Sequence, residues 1–131
     1  MVLPCEIAVK SVVPAIRAAI ARDLVEKHGF TQAQVAEILG ISQPAVCKYT
    51  RRVRGQTIDI ENLENLQGQK EVIVSLLMGE EPKRAALLGL FCQMCMLVRK
   101  EGLMCPLCHR TDLRIKSQGC DFCLDAKPTS K

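Results

Sequence analysis

The sequence predicts a mainly α fold, in which a helical domain of residues 1–79 precedes a small cysteine-rich module of residues 80–131. Apolar residues recur at helical spacing through the first ninety residues, with glycines between the periods. The chain has only three Phe, one Tyr and no Trp, so Ala, Val, Ile and Leu must build the core. Its last third contains three Cys-x-x-Cys pairs and few bulky apolar residues, so we expect it to need a metal or disulfides to fold.

The first strong helical period covers residues 14–28. Pro14 suits the first turn of a helix, where its missing N–H is not needed, and Gly29 ends the period. The apolar face carries Ile16, Ala19, Ile20, Leu24 and Val25. The face expected to lie in solvent carries Arg17, Arg22, Glu26 and Lys27. Residues 5–12 form a short helical or extended segment before it.

Two further helices are predicted on either side of Gly40. Thr31 and Gln34 have the spacing of a capping box, which satisfies free backbone N–H groups at the start of a helix, here over residues 32–39. Ser42 is a favourable N-cap for the next helix, over residues 43–53, and Gly55 follows its end.

Shorter elements are predicted downstream. A helix over residues 59–66 and another over residues 71–78 are separated by Gly68 and form either core or a dimer face. Residues 79–82, Gly-Glu-Glu-Pro, mark the domain boundary, and a helix begins at the proline. After Gly102 we expect cysteine knuckles and short strands.

Residues 31–54 have the pattern of a helix-turn-helix. This motif needs a small residue where two helices cross and a turn residue that tolerates positive φ, and Ala36 and Gly40 occupy those positions. Apolar side chains must also hold the second helix on the first. The candidates are Val35, Leu39, Ile41, Val46 and Tyr49, the last two being one turn apart on the buried side of the second helix.

Charge is distributed unevenly around this motif. The net charge is only +4, but residues 38–58 contain no Asp or Glu and include Lys48, Arg51, Arg52 and Arg54. Such a local basic stripe is typical of phosphate contact. The alternative is an ordinary helical hairpin with a solvated basic face. Patterning, capping and charge together favour binding of double-stranded DNA.

The exposed side of the second helix supplies the candidate DNA contacts. Its N-terminal end would enter the major groove, so Gln43 is the first candidate for base recognition, since Gln can pair bidentately with adenine. Further candidates on this side are Ser42, Pro44, Cys47 and Lys48. Residues suited to phosphate contact are Thr31, Gln32, Thr50, Arg51, Arg52 and Arg54.

The segment from Gly29 to Gly55 contains Thr-Gln-Ala-Gln-Val-Ala-Glu-Ile-Leu-Gly-Ile-Ser-Gln-Pro-Ala-Val-Cys-Lys-Tyr and resembles the lambda-repressor-like (XRE-type) helix-turn-helix. The whole chain resembles a group of archaeal predicted transcriptional regulators that combine such a domain with a cysteine-rich C-terminus. These regulators usually bind palindromic operators as dimers, so the resemblance implies a homodimer. Cys47 departs from it, because relatives often carry Ser there.

The cysteine pairs have the spacing of metal-binding knuckles. Two cysteines separated by two residues can place both sulfurs on one cation, and two such pairs complete a site of four thiolates. Candidate ligands are Cys92, Cys95, Cys105, Cys108, Cys120 and Cys123. The last two pairs form the most ribbon-like set, with Leu113 and Ile115 in a short hairpin between them. Zinc and a [4Fe–4S] cluster both fit this donor set.

Three other interpretations of this region remain open. Cys92 and Cys95, which share a helix face, are either part of the cluster or buried core thiols. A dithiol redox pair would need a βαβ context, which the sequence does not predict. His109 is a possible ligand beside Cys108, but six thiols make it more plausible as an exposed residue.

These features predict a transcriptional regulator that binds specific DNA sequences and senses redox or metal state through its cysteines. The alternative is a zinc-ribbon adaptor that binds a protein of the transcription machinery. No Ser/His/Asp set, phosphate-binding glycine loop or paired carboxylates indicate an enzyme or a small-molecule substrate. Neither a signal peptide nor a membrane span is predicted, so we expect a cytoplasmic protein with reduced thiols.

Overall fold

The computed structural model describes residues 3–52, 58–61, 63–79, 84–120 and 122–123. These residues are mainly helical and contain no strand, which confirms the predicted mainly α class. The helices are α1 (Pro4–Lys10), α2 (Val12–Glu26), α3 (Gln32–Leu39), α4 (Gln43–Thr50), α5 (Glu64–Leu77), α6 (Arg84–Lys100), α7 (Cys105–Thr111) and α8 (Leu113–Gln118).

Helix α2 is the centre of the fold. It packs against α1, α3, α4, α5 and α6. Its bulky core side chains Val12, Ile16, Ile20 and Leu24 are at most 1% exposed. Alanines occupy most of the remaining buried positions and let neighbouring helices approach closely, so α2 is buried on nearly all sides.

The prediction that Arg22 lies in solvent was wrong, because its side chain is buried. Its Nε donates to Oε1 of Glu61 at 2.8 Å, and its Nη1 donates to the backbone oxygen of Tyr49 at 3.1 Å. A buried guanidinium is tolerated when its donors find such acceptors. The helical period alone could not reveal these partners, which are far away in sequence.

The predicted break at Gly68 was also wrong. A single helix, α5, continues from Glu64 through Gly68 to Leu77. Glycine in a helix interior costs about 1 kcal/mol relative to alanine. Burial of Leu66 and Ile73 on the same helix offsets that cost.

The segment after Gly102 forms two short helices instead of the predicted strands and hairpin. Pro106 lies in the first turn of α7, where proline favours a helix. Asp112 then caps α8, because its side chain accepts a hydrogen bond from the backbone N–H of Arg114 at 3.1 Å. These local signals outweigh the apolar alternation of Leu113 and Ile115.

Helix α6 connects the cysteine-rich region to the helical core. It packs against both α2 and α5, and its Leu87, Met94 and Val98 belong to the same hydrophobic cluster as α2. The predicted domain boundary includes residues 80–82, which lie outside the described residues, and the division at residue 79 stays a prediction. Among the described helices, none combines the length and apolar character that a membrane crossing requires.

Candidate functional site

The start of α3 has the predicted capping box. The hydroxyl of Thr31 accepts a hydrogen bond from the backbone N–H of Gln34 at 3.2 Å, and the Gln34 side chain accepts one from the Thr31 N–H at 2.9 Å. Both otherwise free donors are thereby satisfied, and α3 has a defined starting point.

The turn between α3 and α4 also follows its local sequence. Gly40 adopts a left-handed conformation, with φ of 67°, and the N–H of Ile41 donates to the Ala36 oxygen at 3.0 Å. The Ser42 hydroxyl then accepts from the N–H of Ala45 at 3.2 Å and caps α4. The direction in which α4 leaves α3 is therefore set by residues of the turn itself.

The buried side of α4 holds it against the core. Val35, Val46 and Tyr49 are at most 2% exposed, and Leu39 and Ile41 are half-buried against them. The prediction that Val46 and Tyr49 face inward is confirmed. Arg22 adds a polar contact by donating to the carbonyl of Tyr49, so α4 is held at its last turn by α2.

The opposite side of α4 is open to solvent. Ser42, Gln43, Pro44, Lys48 and Arg51 are exposed, and Cys47 is half-buried. The candidates for base recognition therefore share one accessible face, with the capped N-terminus of α4 at its leading end. No described acidic side chain pairs with Lys48 or Arg51 in a salt bridge.

The candidates for phosphate contact differ in the exposure of their side chains and in the hydrogen bonds that they already form. Thr31 is exposed, whereas Gln32 and Thr50 are half-buried and approach one another at 3.5 Å. The Thr50 hydroxyl also donates to the carbonyl of Cys47 at 3.0 Å. Since the hydroxyl proton of Thr50 is already donated within α4, this side chain is poorly suited to donate a hydrogen bond to a phosphate.

Helix α4 ends three residues earlier than the predicted end at residue 53. Its last residue is Thr50, and Arg52 adopts a left-handed conformation with φ of 59°. The Arg52 Nη1 lies 3.3 Å from Oε2 of Glu61. Part of the Arg52 charge is therefore balanced within the protein. Arg54, the last of the predicted phosphate contacts, lies outside the described residues.

Glu61 connects two of these arginines. Burial alone would raise the pKa of its carboxyl, but hydrogen bonds and charge from Arg22 and then Arg52 outweigh that effect and lower the pKa. Glu61 is therefore ionised at neutral pH and holds the end of α4 through both arginines. Sequence reasoning missed Glu61, because no local pattern marks a contact of this range.

The last two Cys-x-x-Cys pairs meet at one pocket. Cys105 and Cys108 approach it from α7, and Cys120 and Cys123 follow α8. The pocket has a volume of about 20 Å³, and its lining is completed by Pro4, Met104, His109 and Ile115. The pairing that the sequence favours as most ribbon-like thus brings four thiols together, although the segment between them is helical.

The first Cys-x-x-Cys pair lies apart from this pocket. Cys92 and Cys95 are on α6, Cys92 being exposed and Cys95 half-buried. Cys95 interacts electrostatically with Arg99 and with Cys5 of α1. Arg99 also contacts Cys123, which belongs to the four-cysteine pocket. The Nε of Arg99 lies 3.3 Å from Sγ of Cys123. The sequence prediction omitted Cys5 and Arg99, because neither belongs to a spaced pair.

In the absence of a cation, the pKa values of three of these thiols are raised, which favours their neutral form. Burial raises the pKa of Cys105 and Cys108, and neighbouring cysteines, Cys123 first, raise it further. Burial likewise raises the pKa of Cys95, against an opposing effect of Arg99. A divalent cation would reverse this balance, because it stabilises thiolates directly.

The cysteine groups have the donor chemistry of a metal site without its final geometry. Four thiols around one pocket match zinc or an iron–sulfur cluster in softness and in number. Within the ranges that the structure describes, however, no three Cys, His, Asp or Glu side chains are arranged closely enough to hold a metal ion. Ligation would therefore require the sulfurs to draw closer together.

In comparisons with known proteins, no family model, curated protein or solved structure matched this chain.

Proposed function

We propose that the protein is a sequence-specific DNA-binding transcriptional regulator that acts as a homodimer. The observation that carries this proposal is the two-sided character of α4. One side is anchored by Val46 and Tyr49, and the other presents Gln43, Lys48 and Arg51 to solvent next to a capped N-terminus. A rigid helix with an accessible polar and basic face is suited to the major groove.

The exposed residues would have different roles at DNA. Gln43 at the first turn of α4 would read a base edge, with Ser42 and Lys48 beside it. Arg51 would contact phosphate with its full charge, whereas Glu61 already balances part of the charge of Arg52. We therefore expect Arg51 to contribute more to affinity than Arg52.

Selection of binding sites from a random duplex pool, followed by fluorescence anisotropy with the full chain, tests this function. Gln43→Ala should weaken binding to the selected site by about 1–3 kcal/mol and relax its sequence preference at one position. Arg51→Ala should weaken binding to all duplexes and reduce its salt dependence. Arg52→Ala should do so to a smaller extent.

Two exposed residues of α8 serve as matched controls. Gln118→Ala and Arg114→Ala change the same side-chain types away from α4 and should leave DNA affinity unchanged. If the full chain selects no duplex, or if the Gln43 and Arg51 variants bind as well as the unmodified protein, the protein is not this kind of regulator. The adaptor alternative predicts the second outcome.

The dimer is supported by apolar side chains on two adjacent helices. Val72 and Leu76 of α5 and Leu88 of α6 are between 39% and 66% exposed, and α5 packs against α6. A two-fold interface there would hold two copies of α4 at a fixed distance and orientation, as binding to two half-sites requires.

The cysteine module would bind zinc or a [4Fe–4S] cluster through Cys105, Cys108, Cys120 and Cys123. When bound, zinc would crosslink α7 to the segment after α8, whereas an iron–sulfur cluster would add sensitivity to redox state. Protein purified without oxygen distinguishes them. Absorption near ~400 nm indicates iron–sulfur, bound metal without colour indicates zinc, and protein free of metal argues against the module.

The sensing role has its own test. Substitution of Cys105 or Cys120 by Ser should change operator affinity while the circular dichroism of the helices is retained. If only thermal stability falls and operator affinity stays constant, the module is structural and does not report redox or metal state.

A further inference from the structure

Arg99 has unusual partners for a buried cation. It lies in the last turn of α6 and is 6% exposed. Its Nε contacts Sγ of Cys123 at 3.3 Å, and its Nη1 lies 3.9 Å from Sγ of Cys5 and 3.8 Å from Sδ of Met96. The ring of Phe122 lies 6.0 Å from the guanidinium carbon. Within the described ranges no carboxylate forms a salt bridge with Arg99.

The other buried cations of this fold are paired differently. Arg22 pairs with Glu61, and Lys70 lies 3.3 Å from Oδ2 of Asp23. These carboxylates supply the opposite charge that a buried cation needs. A neutral thiol is only a weak hydrogen-bond acceptor and supplies no charge. Among the described residues, Arg99 therefore has no compensating anion unless the sulfurs around it carry one.

The sulfurs around Arg99 come from distant parts of the chain. Cys5 belongs to α1, Cys95 to α6, and Cys123 follows α8. Pro4, the neighbour of Cys5, lines the same pocket as Cys105, Cys108, Cys120 and Cys123, and α1 contacts α7. Although Cys5 as a whole is exposed, its sulfur lies 3.9 Å from the Arg99 guanidinium, and the residue before it lines the four-cysteine pocket.

We propose that Cys5 is an additional thiolate that can take one of the four ligand positions of the cysteine centre and that Arg99 is the buried counter-cation of that centre. The inference rests on the metal binding proposed above and extends it to α1. As each ligand binds, its thiol loses a proton to solvent and its sulfur donates an electron pair to the cation, with no change of oxidation state. Four thiolates on a divalent cation carry two excess negative charges, of which Arg99 would balance one. Metal binding would then tie α1, and through it α2, to the C-terminal cysteines.

Zinc titration of the full chain tests this assignment. The protein is stripped of metal under reducing conditions, and Zn²⁺ is titrated at constant pH in competition with a chromophoric chelator. Residues that support metal ligands typically change affinity by about 10–100-fold when they are replaced. Arg99→Gln should lower zinc affinity by about that factor, whereas Arg99→Lys, which keeps the charge, should retain most of it. A purely packing role would make the two variants similar.

Cys5 is tested against Cys47, the other cysteine outside the spaced pairs. Cys5→Ser should weaken zinc binding and remove one thiol from those that zinc protects against a thiol reagent, and Cys47→Ser should do neither. In the unmodified protein, mass spectrometry should find Cys5 alkylated without zinc and protected with it. This last measurement decides the assignment of Cys5 even if the Arg99 variants do not fold, as judged by circular dichroism.

The outcomes separate this inference from the metal binding on which it depends. If the unmodified protein takes up no zinc, zinc binding by the cysteine module and the inference both fail. If it binds zinc while Cys5 stays reactive, or while Arg99→Gln binds as tightly as the unmodified protein, only the inference fails. Protection of Cys5 together with rescue by Arg99→Lys supports it.

Discussion

The helices around α2 and the segment after Gly102 are stabilised in different ways. The former bury side chains such as Ile16, Ile20 and Val46 almost completely and pair the buried cations Arg22 and Lys70 with carboxylates. The latter contains helices of seven and six residues, and its buried side chains include two cysteines, Cys108 and Cys123. Apolar burial can hold the first region together unaided, whereas the second is suited to stabilisation by a bound metal.

The largest expected effect comes from α2, the central helix of the first region. Ile20→Ala removes a side chain with 0% exposure from α2 and should lower the free energy of unfolding by about 2–5 kcal/mol. Because α6 packs against α2 and leads into the segment after Gly102, and because α1 contacts both α2 and α7, both regions should lose stability together. Chemical denaturation followed by circular dichroism and by the reactivity of Cys108 measures the two regions separately.

The exposed Leu113 of α8 provides the control for this substitution. Leu113→Ala removes a side chain of the same size that is 74% exposed, and the free energy of unfolding should change by less than about 0.5 kcal/mol. If Ile20→Ala shifts the helical signal and leaves the reactivity curve of Cys108 in place, the cysteine region folds independently of α2.

A smaller effect is expected at the carboxylate that holds the end of α4. Glu61→Gln removes the charge that binds Arg22 and Arg52 and should cost about 1–3 kcal/mol, because Arg22 is left buried without its anion. Since the pKa of Glu61 is lowered in the folded state, its contribution is complete above the ordinary value of 4.5. It is lost as the pH falls through the lowered folded pKa.

Unfolding curves at neutral pH and at successively lower pH test this pH dependence of the contribution of Glu61. Unmodified protein and Glu61→Gln should differ most at neutral pH and converge in acid. A constant difference across the pH range would show that the substitution acts through packing instead of charge. Glu64→Gln on the exposed start of α5 is the matched control, because no salt bridge joins it to a described residue.

How well the sequence predicted a feature depends on how far apart in the sequence the interacting residues lie. The capping box at Thr31, the left-handed Gly40 and the cap at Ser42 depend on residues within a few positions, and all three are present. The burial of Arg22 and the approach of Cys5 to Arg99 depend on partners 39 and 94 residues away. No local pattern encodes such contacts, because the packing of helices decides them.

In the cysteine region, too, the sequence predicted one feature of the structure and not another. The spacing of its cysteines predicted that Cys105, Cys108, Cys120 and Cys123 gather, and they line one pocket. The spacing could not predict the backbone between them, since knuckles and helix ends both bring two cysteines together at this distance. Pro106 and Asp112, as helix-starting residues, were the signals that favoured α7 and α8.

The smallest expected effects come from substitutions of two glycines, both of which the sequence predicts to lie between helices. Gly40 has φ of 67°, and no atom of the described residues lies within 4 Å of an added Cβ, so Gly40→Ala should cost about 1–2 kcal/mol through backbone strain alone. Gly68 has equal space but lies inside α5, so Gly68→Ala should stabilise the protein by about 0.5–1 kcal/mol. Thermal unfolding of the two variants should therefore shift in opposite directions. A loss of stability in Gly68→Ala would contradict the continuous α5 and restore the break that the sequence predicts, whereas an unchanged Gly40→Ala would contradict the left-handed turn that directs α4.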